Sequence, residues 1–135
     1  MVSLYTDGGA RGNPGPAACA FVIKDEKGEV VQSGGEFIGE ATNNVAEYKG
    51  LILGLTKAHG SVIKVLTCFL DSELVVKQLT GEYRVKDTHL KDLFAHAKLL
   101  VEKFEFVEFK AIPRSKNKEA DKILNGVLDK NSHLG

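Results

Sequence analysis

Apolar positions along this chain switch between strand-like and helical spacing, and the switches mark out its elements. β-branched and aromatic residues suited to a pleated ladder make strand-like segments at Val2–Thr6, Ala17–Lys24 and Val30–Ile38. The last two are joined by the polar turn Asp25-Glu26-Lys27-Gly28, which predicts an antiparallel meander. From Asn43 the spacing becomes helical: Tyr48, Leu51, Ile52, Leu55 and Ala58 form one stripe until His59-Gly60 ends it. Ile63–Leu70 reads as a buried strand ending at Asp71, followed by a short helix through Leu74, Val75 and Leu79 that stops at Gly81. Leu90, Leu93, Phe94, Ala97, Leu100 and Val101 make another helical stripe, and Glu105–Ile112 returns to strand character. A last helix carries Ala120, Ile123, Leu124, Val127 and Leu128. Three strands, a helix, a strand, two helices, a strand and a helix predict an α/β fold with a mixed sheet and helices on its faces.

The 135 residues are expected to form one domain spanning 1–135, with 131–135 as a frayed tail. No apolar run approaches the ~20 residues of a membrane helix, and no leader-like pattern opens the chain, so a cytoplasmic protein without membrane contact is expected. Cys19 and Cys68 lack the close spacing of a metal or redox pair and read as buried free thiols. The lack of an obvious exposed apolar segment favours a monomer. Lysine plus arginine equals aspartate plus glutamate, 18 each, so the overall charge indicates no polyanion partner. Locally, Lys110, Arg114, Lys116, Lys118 and Lys122 make a basic segment, which is either a solvated face or a nucleic-acid contact.

Four acids change the picture. Asp7 and Asp71 each follow a strand, and in an open α/β sheet ligands gather at the carboxyl ends of strands. On parallel neighbours they would lie about 5 Å apart, where they repel unless a cation lies between them. Glu47 and Asp121 sit at the margins of the first and last helical stripes, one turn before Leu51 and Leu124. Each has an ordinary alternative: turn capping for the aspartates, a capping box with Asn44 for Glu47, and dipole compensation for Asp121. The run Asp7-Gly8-Gly9-Ala10-Arg11-Gly12-Asn13-Pro14-Gly15-Pro16 reads as a shaped loop directly after the strand. It lacks the Gly-Lys-Ser/Thr ending of a phosphate loop and runs into a strand, which argues against a nucleotide-binding enzyme. Hard oxygen ligands with open positions suit magnesium or manganese.

That loop, with Thr42-Asn43-Asn44-Val45-Ala46-Glu47-Tyr48, Asp71-Ser72-Glu73-Leu74-Val75-Val76 and Asn117-Lys118-Glu119-Ala120-Asp121, resembles the four signature blocks of type 1 ribonuclease H. Gln78 to Lys86 resembles the compact prokaryotic members that lack a basic protrusion, and the likeness extends from Met1 to about Leu128. The resemblance implies a five-stranded mixed sheet, three antiparallel strands then parallel ones, with helices on both faces. It also implies an endonuclease that cuts the RNA strand of an RNA–DNA hybrid by two-metal-ion catalysis, leaving 5′-phosphate and 3′-hydroxyl ends. Asp7, Glu47, Asp71 and Asp121 would hold two Mg2+ ions, with Mn2+ as a possible substitute. Gly9, Ala10, Arg11, Asn13, Asn44, Ser72 and Glu73 would touch the RNA strand, Thr42 and Asn43 would grip a DNA phosphate, and Arg114 would add a backbone contact. A module of the same fold that binds hybrids without cutting them is the alternative.

One departure stands out: many relatives carry a histidine before a Val-Pro-Arg or similar run, whereas here the run reads Ala111-Ile112-Pro113-Arg114. His59, His89, His96 and His133 lie outside the matching blocks and read as surface or helix-end residues. Without a histidine to assist proton transfer or product release, turnover is expected to be slower than in a histidine-bearing relative. Ala111→His should therefore raise multiple-turnover hydrolysis, and unchanged single- and multiple-turnover rates would refute the expectation.

Overall fold

The computed structural model describes residues 1–132, in which five strands pair in the order β3-β2-β1-β4-β5. The strands are β1 (Val2–Ala10), β2 (Gly15–Lys24), β3 (Val30–Ala41), β4 (Val65–Leu70) and β5 (Phe106–Ala111). The helices are α1 (Asn43–Gly60), α2 (Glu73–Leu79), α3 (Thr88–Val101) and α4 (Lys118–Ser132), with a single 3₁₀ turn at Arg114–Lys116. β1, β2 and β3 form the antiparallel meander, while β4 joins β1, and β5 joins β4, in parallel.

Alternation along the central strands divides the core in two. Leu4, Phe21, Ile23, Leu66, Cys68 and Leu70 pack with the apolar stripe of α1 and with α2 and α3. Ala18, Ala20 and Val22 face the other way and pack against Ala120, Leu124 and Leu128 of α4. Helices thus cover both faces, as a period of two in strands and about 3.6 in helices requires. Small residues set the distances. A Cβ on Gly35 of β3 would come within 3.0 Å of Ile123 and Val127, so α4 can settle on the sheet only because none is there. Lys24 of β2 adds an ion pair to Glu119 at the start of α4. Cys19 and Cys68 are buried and unbridged, as the sequence predicts, and burial pushes both thiols upward in pKa.

Several boundaries differ from the sequence reading. β1 does not stop at Thr6 but continues through Asp7, Gly8, Gly9 and Ala10, because these residues pair with Ala20, Cys19, Ala18 and Ala17 of β2. The loop therefore begins at Arg11, and Asp7 lies inside a strand. β3 likewise outlasts Ile38, since Glu40 and Ala41 pair with Pro16 and Gly15. β4 begins at Val65, two residues after Ile63, because the chain is still closing α1: Ile63 N–H donates to Ala58 O at 3.2 Å. α4 takes in residues 131 and 132, which the sequence reading assigned to a frayed tail; the remainder of that tail, with His133, lies outside the described residues. His59, His89 and His96 are exposed, as expected.

Val62 is the one described non-glycine residue in the left-handed region, at φ 61° and 76% exposed, with its N–H on His59 O. A β-branched residue is strained there, in a helix-ending position that favours glycine. Val62→Gly should stabilise the fold by about 1 kcal/mol, read as a higher urea midpoint at unchanged slope. A lowered midpoint would show that Val62 is unstrained.

Candidate active site

β1 outruns its parallel neighbour, and the acids gather at that step. The last β1–β4 pair is Thr6↔Leu70, after which β1 continues as Asp7 and β4 ends, leaving Asp71 to lead into α2. Beyond that pair, the Gly8 N–H donates to Asp7 Oδ1 at 2.9 Å and to Glu47 Oε1 at 3.3 Å. Glu47 comes from the first turns of α1, which crosses β1 at very short range: a Cβ on Gly8 would lie 2.1 Å from Ala46 O, and one on Gly50 would lie 2.6 Å from Asp7 O. Carboxylate oxygens of Asp7, Glu47 and Asp71 consequently lie within 4.8 Å of one another. Asp121 stands outside this trio but shares with Glu47 a cavity of about 430 Å3, also lined by Gly8, Gly9, Ser72 and Arg114.

The capping alternative for Glu47 is not realised. The cap of α1 is Thr42, whose side-chain oxygen accepts the Val45 N–H at 3.3 Å, so Asn44 forms no capping box and Glu47 is 6% exposed instead. Burial holds the Glu47 carboxyl well above the usual range, and the charges of Asp7 and Asp71 push the same way. The Asp7 carboxyl is raised from 3.8 to about 7, first by burial and then by Asp71; the hydrogen bonds from Glu47 and the Gly8 N–H only partly oppose this. Asp7 Oδ2 and Glu47 Oε2 are buried and have no hydrogen-bond partner. Two inward-facing oxygens that nothing else satisfies, on acids that resist ionising together, form a donor set fitted to a hard divalent cation.

The residues assigned to substrate divide by what they already hold. Gly9, Ala10, Arg11, Asn43, Asn44, Ser72 and Arg114 line the cavity that Glu47 and Asp121 share. Asn13, Thr42, Asn43 and Asn44 line an adjacent one of about 370 Å3, together with Asp87 and His89, and the sequence offered no sign of those last two. Asn43 Oδ1 accepts the Ala10 N–H at 2.8 Å, and Asn13 Oδ1 accepts the Asn43 N–H at 3.0 Å, so this pair stitches the loop after β1 to the start of α1. Ser72 caps α2 through Val75, and Glu73 is paired with Lys77 at 2.8 Å. Arg11 is paired with Asp129 of α4 at 2.5 Å.

A five-stranded mixed sheet with acids where β1 outruns β4 is the architecture of ribonuclease H-like proteins. Residues 5–126 match the family model described as reverse transcriptase-like. The chain is 41% identical over 128 residues to ribonuclease HI of Halobacterium salinarum and 39% identical over 129 residues to a bifunctional protein of Mycobacterium tuberculosis, each match covering 95% of this chain. It spans 64% of the first and 35% of the second. The crystal structure of the Halobacterium enzyme superposes at TM-score 0.93 with 40% identity, covering 96% of this chain and 98% of that one. LC11-RNase H1, crystallised in complex with an RNA/DNA hybrid, superposes at TM-score 0.92 with 42% identity over the same shares. The chain belongs to the type 1 ribonuclease H family.

The raised carboxyl groups predict a pH signature in the metal-free protein. An acid harder to ionise folded than unfolded contributes stability below its unfolded pKa, and loses it as pH rises through the folded value. In chelator, wild type should therefore lose stability relative to Asp7→Asn as pH rises from about 4 to about 7, and Mg2+ should reverse that loss at pH 8. Thermal melts of both proteins across that range test this. A stability difference that does not vary with pH would mean that burial and Asp71 do not raise the Asp7 carboxyl.

Proposed function

We propose that this protein is an endoribonuclease that hydrolyses the RNA strand of RNA–DNA hybrids with divalent metal ions. The observation that carries the reading is the meeting of Asp7, Glu47 and Asp71, with one buried oxygen each of Asp7 and Glu47 left unpartnered, where the central strand β1 outruns β4. Asp7, Glu47, Asp71 and Asp121 would hold the ions, Mg2+ first and Mn2+ as a substitute. Two bound ions would supply an activated water on one side of the phosphorus and charge stabilisation of the leaving 3′ oxygen on the other, which gives 5′-phosphate and 3′-hydroxyl products.

The chain's own groups would do the rest. Gly9, Ala10 and Arg11 on one rim, and Ser72 and Glu73 at the start of α2, flank the acids where an RNA strand would pass. Asn13, Thr42, Asn43 and Asn44 lie beside the start of α1, whose first N–H groups favour an anion such as a DNA phosphate. Arg114, exposed on the cavity wall, offers a backbone phosphate contact. None of these requires a base edge, so cutting should be largely independent of sequence. The complex of LC11-RNase H1 with a hybrid supports the substrate class. Among the described residues no helix is long and apolar enough to cross a membrane.

The competing reading is a module that binds hybrids without cutting them. Hydrolysis of an end-labelled RNA–DNA hybrid in Mg2+, alongside single-stranded and duplex RNA, separates the two. Wild type should cleave the hybrid alone, and Asp7→Asn should lose more than the ~100-fold typical of removing an outer partner of a metal site. Hybrid binding without cleavage in either metal would leave only the binding module.

A further inference from the structure

Asn117 belongs to the sequence block that ends in Asp121 but not to the ligand set, and it is buried beside the acids at 1% exposure. Its Nδ2 donates to Thr6 O at 2.8 Å and to Asp71 Oδ2 at 3.3 Å. Its own carbonyl oxygen accepts the Asp121 N–H at 3.1 Å. One residue therefore touches the peptide unit that leads into Asp7, the carboxylate of Asp71 and the backbone of Asp121. No other side-chain hydrogen bond among the described residues reaches Asp71.

The amide chemistry suits this place. Both groups that Nδ2 meets are acceptors, so a flipped amide would set Oδ1 against two oxygens; Oδ1 instead faces away and has no partner. Asp71 is only half-buried and follows the end of β4, so its backbone has lost the ladder that holds β1. A donor on one of its oxygens restricts the rotation of the carboxylate. Hydrogen-bonded partners of metal-binding carboxylates orient them in this way.

We infer that Asn117 is a positioning residue for the divalent-ion site, fixing the carboxylate of Asp71 relative to Asp7 and tying the start of α4 to β1 so that Asp121 shares a cavity with Glu47. The inference rests on reading the acids as a metal site. It adds a residue that touches neither ion nor substrate but decides how well the acids converge.

The test reads metal affinity apart from turnover. Mn2+ binding is titrated calorimetrically on the substrate-free full chain, and kcat and KM are measured on a hybrid at fixed Mg2+. Asn117→Ala should weaken Mn2+ binding by ~10- to 100-fold and lower kcat while leaving KM for the hybrid unchanged. Leu100→Ala, which truncates the core beneath α3, should lower the melting temperature and leave Mn2+ affinity intact. Asn117→Ser, with a residue favoured at helix starts but too short to span both acceptors, repeats the measurement should the alanine variant not fold. Wild-type Mn2+ affinity and kcat in a folded Asn117 variant would overturn the inference, as would failure of both variants to fold, which would assign Asn117 to the fold alone. A wild-type protein that binds Mn2+ but cuts no hybrid would defeat the nuclease reading and leave the positioning role standing.

Discussion

Helix α1 lies so close to β1 that no side chain fits between them at Gly8 or Gly50, and the site depends on that approach. Interiors are packed densely enough that one misplaced methylene costs ~1–3 kcal/mol, and backbone met by a Cβ at this range would have to move. Because nothing intervenes, Glu47 reaches the N–H of Gly8 and lies against Asp7. Tyr48, the next residue of α1, is fully buried and donates its hydroxyl hydrogen to Gln78 of α2 at 2.6 Å, tying the helix that carries Glu47 to the one that follows Asp71.

The close approach has an electrostatic consequence. Asp7 and Glu47 are desolvated and face Asp71, so in the absence of a cation at least one of Asp7 and Glu47 is driven toward its protonated form. A fold that buries mutually repelling acids without covering their oxygens stores an affinity for positive charge. A divalent ion would answer that affinity, since three of the described cations in the surrounding elements are engaged elsewhere, Arg11 with Asp129, Lys24 with Glu119 and Lys77 with Glu73, and Arg114 stays exposed on the cavity wall. Those pairs hold the rim, not the acids. They are exposed or half-exposed, and such pairs contribute little to stability, so their effect is on the placement of the loop, α2 and α4.

Some of this was visible from residue types and spacing, and the parts that were not share a cause. The helical stripe of α1 placed Glu47 at its buried margin, and the apolar run before Asp71 placed that acid at a strand end, because burial imposes a period on any sequence that folds this way. The continuation of β1 through Gly8 and Gly9 was not visible, since glycine has low strand propensity and those residues are extended only because β2 pairs with them. The choice of Thr42 over Asn44 as the cap of α1 was equally hidden, as both residue types can serve. Asn117 shows the same limit: its place in the sequence block was plain, but its contact with Thr6, 111 residues away, belongs to no local pattern.

Local periodicity and residue chemistry thus determined the element order, the antiparallel meander, the helices on two faces and the identity of the acids. Only the tertiary structure decided that Asp7 sits within a strand, that Asp121 stands apart from the tighter trio, and that Glu73 and Arg11 are already paired. The reason is physical. Secondary structure and burial follow from neighbours a few residues away, whereas the meeting of charges depends on how closely two backbones pack, and here that distance is set by the side chains glycine lacks.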